Sequence, residues 1–310
     1  MRETDLAIIG AGVAGLTAAA TAAQHGLDVL VIERMGAGGQ VMNVERVDNM
    51  PGFPQGISGF ELGPLLQEQA EAAGAQFTLD TVESLEPGAG GRHVLRCAGE
   101  TIAARAVLLA CGSARRKLGV PGEEQLEGRG VSHCASCDGP LFRGQPVAVV
   151  GGGDSAFGEA HVLASHASRV TVLFREAQPR AQHYLVEALA AHPNVELVPN
   201  ADVVTIRGDE KGVSGVQVLA NGQAPADVQA QGVFVYAGLV ADTGFLAGQL
   251  KLDTAGRVET GADMQASVPG VFAAGDVRSG CACLLGVAAG EGAAAASFAH
   301  RYIQALPSPT

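Results

Sequence analysis

Cationic side chains are in short supply. Lysine and arginine number 20 against 32 aspartates and glutamates, a net charge of −12. No cluster of them could track a phosphate backbone, which argues against a nucleic-acid partner. Long apolar runs are also missing: 47% of the residues are hydrophobic, yet no run nears the roughly 20 needed to cross a bilayer. No membrane association is expected. Met1 leads straight into "DLAIIGAG", without a basic stretch, apolar segment and cleavage site, so a cytoplasmic protein is expected. Cysteines are few, 6 in 310 residues, too sparse for a disulfide scaffold. Glycine, at 43 residues, is plentiful. It follows no G-x-y repeat, which excludes a fibre and suggests tight turns and backbone approach to ligands.

Two segments share one grammar. "DLAIIGAGVAGLTAAATAAQHGLDVLVIE", Asp5 to Glu33, runs apolar strand, Gly-rich turn, Ala-rich helix, Gly26 stop, then a β-branched strand ending in an acid. "PVAVVGGGDSAFGEAHVLASHASRVTVLFRE", Pro146 to Glu176, repeats the pattern. Each has the length of a βαβ unit, about 30 residues. The expected fold class is α/β with two Rossmann-like dinucleotide-binding domains, the second inserted into the first. The boundaries expected are 1–115 and 238–310 for the first domain and 116–237 for the second. "SVPGVFAAGDV" supplies a further strand ending at Gly-Asp, and "AAGEGAAAASFAHRYIQAL" a long final helix before a frayed "PSPT".

In the first unit Gly10, Gly12 and Gly15 spell G-x-G-x-x-G directly after a strand and at the head of a helix. Gly10 allows the tight turn, Gly12 lets backbone reach a pyrophosphate, and Gly15 permits close helix–strand packing. The helix N-terminus adds N–H groups and positive dipole for the phosphate. Glu33 is placed to accept hydrogen bonds from an adenosine ribose. The second unit carries Gly151, Gly153 and Ala156 in the G-x-G-x-x-A form. Arg175 and Arg180 behind its second strand offer a cationic pocket for a 2′-phosphate, which favours NADP. Glu176 between them opposes it.

Between the fingerprints lies "VSHCASCDGP". A C-x-x-C can be half a zinc site, a structural staple or a redox pair. Zinc needs further Cys or His ligands at suitable spacing; His133 is adjacent in sequence and reads as a bystander. No metal is expected, and a redox pair fits best. Cys97 and Cys111, in or beside strand patterns, read as small buried hydrophobes.

With both fingerprints and C-A-S-C-D in order, joined by "GGQ", "VDNMPGFP", "LLACGS" and "GVFAAGDV", the chain resembles the low-molecular-weight thioredoxin reductase family along nearly its whole length. The resemblance implies that FAD is held at Gly10, Gly12, Gly15, Glu33, Gly39, Gln40, Asn49 and Asp276. It places NADPH at Gly151, Gly153, Ala156, Arg175 and Arg180. It implies that Cys137 lies nearer the flavin, that Cys134 exchanges with a substrate disulfide, and that Asp138 shuttles the proton. The implied substrate is thioredoxin or another small dithiol or disulfide, reduced by a homodimer whose small domain rotates.

Two departures stand out. Where members read His-Arg-Arg, this chain reads Phe174-Arg175-Glu176, and where they read Arg-Gln-Ala it reads Cys283-Leu284-Leu285. The first leaves NADH, or no nicotinamide at all, as an option, and with it a dithiol oxidase using oxygen or a ferredoxin-linked enzyme. The second makes Cys281 and Cys283 a C-x-C pair, expected either as small residues at a helix start or as an additional redox or regulatory thiol pair.

Overall fold

The computed structural model describes residues 1–88, 92–220 and 224–307; the expected frayed end at 308–310 lies outside them. The chain divides into two compact units, Met1–Ala114 with Val240–Thr310, and Arg115–Leu239.

The first unit is built on a seven-stranded sheet. At its centre Arg2–Ile9 pairs in parallel with Val29–Glu33 on one side and Thr101–Leu109 on the other. Val29–Glu33 in turn pairs with Gln76–Leu79. An antiparallel hairpin, Val82–Glu86 and His93–Cys97, extends the other edge. The far end of Thr101–Leu109 instead takes Val271–Ala273 in parallel. The central strands are apolar on both faces because both are covered, the pattern parallel sheets require.

The helix Val13–Gln24 is stopped at Gly26, whose positive φ of 81° only glycine takes without cost. Its alanines pack against those of the long helix Leu285–Ala305 in one core cluster. Small residues permit that approach. A Cβ at Gly292 would stand 2.2 Å from the Ala14 carbonyl oxygen.

The second unit has a five-stranded parallel sheet in the order Val195–Val198, Arg169–Leu173, Pro146–Val150, Gly232–Val235 and Val131–Ser132. The helix Asp154–Ala164 covers one face through Ala156, Phe157, Ala160 and Leu163. A three-stranded antiparallel sheet, Ala201–Asp209, Gly212–Ala220 and Ala226–Gln229, covers the other. No described helix is long and apolar enough to cross a membrane.

Candidate functional site

The first fingerprint turn is shaped by what its glycines touch. A Cβ at Gly10 (φ 101°) would lie 2.5 Å from the Ala110 carbonyl oxygen, and one at Gly15 would lie 2.0 Å from the Gly10 oxygen. Both positions are closed to any side chain. Gly12 is the opposite case: a Cβ there would meet nothing within 4 Å. It begins the helix Val13–Gln24 with no side chain capping the N–H groups behind it. Open space over uncapped N–H donors is what a pyrophosphate needs.

Glu33 sits beside that turn. One carboxylate oxygen accepts from the Ala11 N–H at 2.8 Å, and the other from the N–H groups of Arg34 and Met35 at 2.9 and 3.1 Å. The acid is therefore held in place by backbone. Gly38 and Gly39, both at positive φ, fold back on the turn: the Gly38 N–H donates to Ala11 at 2.7 Å, and a Cβ at Gly39 would lie 3.0 Å from Gly12 Cα.

Further along, Gln40 Nε2 donates to the Ser113 carbonyl at 2.7 Å and its hydroxyl at 3.0 Å. The Ser113 hydroxyl donates to Asp276 at 3.3 Å. Ser113 thus ties two expected flavin contacts together, and the sequence reading missed it; its place in "LLACGS", just past a strand end, was the available signal. Asn49 stands apart from this chain of contacts, exposed on its loop. The residues present fit a dinucleotide along the turn, Glu33 and the Gln40–Ser113–Asp276 line.

The second fingerprint repeats the logic. A Cβ at Gly151 would lie 2.4 Å from the Tyr236 oxygen and 3.1 Å from Ala156 Cβ, whereas Gly153 faces open space at the uncapped start of Asp154–Ala164. The expected cationic pocket, however, is not two free arginines. Arg175 pairs with Asp202 at 2.6 Å, and Arg180 pairs with Glu176 at 3.0 Å. The acid responsible lies close to the turn, since a Cβ at Gly152 would stand 3.3 Å from a Glu176 carboxylate oxygen. Phe174 is 4% exposed and packs edge-on against Phe157, so it faces the core.

The dithiol lies in the same unit as this second turn. Cys134 and Cys137 are joined as a disulfide with Cα atoms 5.3 Å apart. Cys134 caps the short helix Ala135–Asp138, its sulfur accepting the Cys137 N–H at 3.2 Å. Cys134 is buried and Cys137 exposed, so in this state the thiol expected to meet the substrate is the covered one. The half-buried Asp138 accepts a 2.6 Å hydrogen bond from the Ser132 hydroxyl. His133 bonds the Val235 carbonyl through Nδ1 at 3.1 Å.

Two residues the sequence reading passed over hold this element. A Glu159 carboxylate oxygen accepts from the Ala135 N–H at 2.7 Å and from the Tyr236 hydroxyl at 3.1 Å. Burial raises the Glu159 pKa, and these hydrogen bonds oppose the rise. Glu159 lies on the helix that follows the second fingerprint, and sequence spacing alone does not aim it at Ala135.

The other thiols are weakly acidic. Cys97 and Cys111 are half-buried rather than buried as expected. Burial pushes their pKa values up to about 11 and about 12. Such thiols are poor nucleophiles at neutral pH.

Two nucleotide turns, one in each of two α/β units, with a disulfide beside the second, define a flavin- and nicotinamide-type disulfide oxidoreductase. The pyridine nucleotide-disulphide oxidoreductase family model matches residues 4–300, and the chain belongs to that family. Among its relatives, the thioredoxin reductase of Treponema pallidum (strain Nichols) is 39% identical over 306 residues, covering 98% of both chains. The crystal structure of Lactococcus lactis thioredoxin reductase superposes with a TM-score of 0.93 at 33% identity, covering 98% of this chain and 100% of that one. That of T. acidophilum thioredoxin reductase gives 0.92 at 33% identity, covering 97% and 99%. The chain is an oxidoreductase, and the thioredoxin reductases of this family use FAD and NADPH.

Proposed function

We propose that this chain is a thioredoxin reductase, delivering electrons from NADPH to a protein disulfide through the Cys134–Cys137 pair. The observation that carries the proposal is the disulfide at the head of a short helix, with the Ser132-bound Asp138 beside it and a nucleotide turn in the same unit. Residues 1–115 and 238–310 would hold FAD, through Gly10, Gly12, Gly15, Glu33, Gly39, Gln40, Asn49 and Asp276. Residues 116–237 would hold NADPH at Gly151, Gly153 and Ala156, with Arg175 and Arg180 near its adenosine end. When bound, the two cofactors turn a nicotinamide hydride into the electron pair that opens the disulfide.

The chain's own residues then do thiol chemistry. Cys134 as thiolate attacks one sulfur of the substrate disulfide, giving a mixed disulfide and releasing one substrate thiolate. Cys137 attacks Cys134, which expels the second substrate thiolate and closes the Cys134–Cys137 disulfide. Each departing thiolate takes up a proton, and Asp138 supplies and recovers one of them. Because Cys134 is covered in the oxidised state, turnover requires a movement that uncovers it. A homodimer, implied by the resemblance, and a cytoplasmic location, expected from the sequence, are part of the same proposal.

The test is anaerobic. The yellow protein is mixed with NADPH, then in a separate run with NADH, and flavin bleaching is followed before thioredoxin is supplied. Rapid bleaching by NADPH with turnover of thioredoxin is expected. Bleaching by a small dithiol but by neither nucleotide would overturn the proposal in favour of a dithiol oxidase.

A further inference from the structure

We propose that Glu159 is a positioning residue whose charge makes the Cys134–Cys137 pair a stronger reductant. The inference rests on the thiol chemistry proposed above and concerns what sets its direction. A cysteine sulfur at the head of a helix ordinarily gains thiolate character, because free N–H groups there can donate to it. Stabilising the reduced form in this way makes a dithiol oxidising. This chain takes part of that stabilisation away. The Cys137 N–H reaches Cys134 Sγ at 3.2 Å, but the Ala135 N–H is held by a Glu159 carboxylate oxygen at 2.7 Å. The acid, not the sulfur, has the shorter bond.

Glu159 is fixed where it stands. It lies on the helix Asp154–Ala164, whose Ala156, Phe157 and Ala160 are buried in the core of the inserted unit. The same carboxylate oxygen accepts from the Tyr236 hydroxyl at 3.1 Å, and the Tyr236 N–H is bonded to the Val150 carbonyl at 2.8 Å. The acid cannot swing away from the dithiol without breaking both contacts. Burial raises its pKa, while these donors and the nearby Arg115 favour its charge. The other titratable groups beside the cysteines are engaged elsewhere. Asp138 accepts from Ser132 at 2.6 Å, and His133 meets the Val235 carbonyl at 3.1 Å and Glu127 at 4.0 Å.

The direction of the effect follows from the half-reaction. Reduction adds two electrons and two protons, breaks the S–S bond and leaves two thiols, one of which can release its proton as thiolate. A negative charge beside the N–H groups disfavours that thiolate and raises the thiol pKa. The reduced pair then gives up its electrons more readily, and the equilibrium lies further toward the disulfide. In a reductase that is the useful direction, since the electrons must pass on to a substrate.

The experiment equilibrates the full-length, flavin-loaded protein without oxygen in mixtures of reduced and oxidised dithiothreitol, at about pH 8.5, the usual thiol pKa. Dithiothreitol gives two electrons and two protons to the pair and closes its own ring disulfide. Acid quenching, alkylation and peptide mass spectrometry then count the Cys134–Cys137 disulfide apart from Cys97, Cys111, Cys281 and Cys283, which are free thiols in the structure. Glu159→Gln keeps an oxygen for Ala135 and Tyr236 but removes the charge. It should lower the equilibrium constant for the disulfide about three- to tenfold, which is about 15–30 mV. The apparent thiol pKa, read from the pH dependence of alkylation of the reduced protein, should fall by about one unit. Glu159→Asp, which keeps the charge, should stay closer to the parent than Glu159→Gln does. No shift in Glu159→Gln, a shift toward the disulfide, or an equal fall in Glu159→Asp overturns the proposal. This readout needs neither NADPH nor thioredoxin, so it fails or succeeds separately from the test of the reductase.

Discussion

Asp138 is the residue on which the proposed chemistry can be tried most directly. Ser132 donates to one carboxylate oxygen at 2.6 Å, which orients the acid. Replacing it by asparagine keeps the shape and removes the transferable proton. Asp138→Asn should lower disulfide-reducing turnover about 100-fold while flavin bleaching by NADPH continues; stopped-flow absorbance separates the two steps. An equal loss in both would mean that Asp138 acts elsewhere.

His93 presents the opposite situation, a titratable group with no hydrogen-bond partner among the described residues. It is fully buried, neither ring nitrogen is hydrogen-bonded, and burial lowers its pKa from 6.5. The unfolded chain takes up a proton as pH falls below about 6.5, whereas the folded chain resists until its lower value is reached. Stability should therefore fall with pH from about 6.5 downward, and the loss should level off below the folded value. His93→Leu should flatten that part of the profile, as read from urea midpoints at several pH values. An unchanged slope would place the proton elsewhere.

At the scale of elements, the proposed nicotinamide site puts the choice of nucleotide on the loop after the strand Arg169–Leu173. The sequence shows two arginines and one acid there, and the structure shows how they are spent: Arg180 on Glu176 and Arg175 on Asp202. These exposed pairs are worth about 1 kcal/mol or less. Glu176→Gln, which frees Arg180 and removes a like charge from the phosphate, should lower the KM for NADPH by up to about fivefold. The KM for NADH, which lacks the phosphate, should not change. Steady-state kinetics with both nucleotides checks this, and parallel shifts would deny the pocket its role.

Helix packing gives a second element-scale expectation. Alanine in place of a helical glycine normally gains about 1 kcal/mol. At Gly292 the new Cβ would fall 2.2 Å from a backbone oxygen of the neighbouring helix, which cannot rotate away. Overpacking costs about 1–3 kcal/mol, so the strain wins and Gly292→Ala should destabilise. Thermal unfolding reads the sign.

For the whole molecule, each unit closes hydrophobic clusters from its own residues. The open Gly12 and Gly153 turns have no side chain to fill them. A ligand that binds only the folded protein then adds stability by mass action. At 100 times its Kd, FAD should contribute about 2.7 kcal/mol. Removing the flavin should lower the melting temperature, and adding FAD back should restore it in a concentration-dependent way. A melting curve indifferent to FAD would deny the first turn its ligand.

Much of this molecule was legible in the chain because its information is local. A strand, three glycines, a helix and an acid mark the turn along the chain, and Gly15 is closed from within it by the Gly10 carbonyl; Gly10 and Gly151 are closed by Ala110 and Tyr236, which only the fold brings near. The C-x-x-C pair likewise lies within one turn of helix. Tertiary structure alone decided which groups meet across long stretches of sequence. It aimed Glu159 at Ala135, joined Gln40 to Asp276 through Ser113, and set Asp202 against Arg175. It also covered Cys134 while leaving Cys137 open. A side chain's charge and burial are settled by whatever the fold packs around it, and periodicity along the chain carries no record of that.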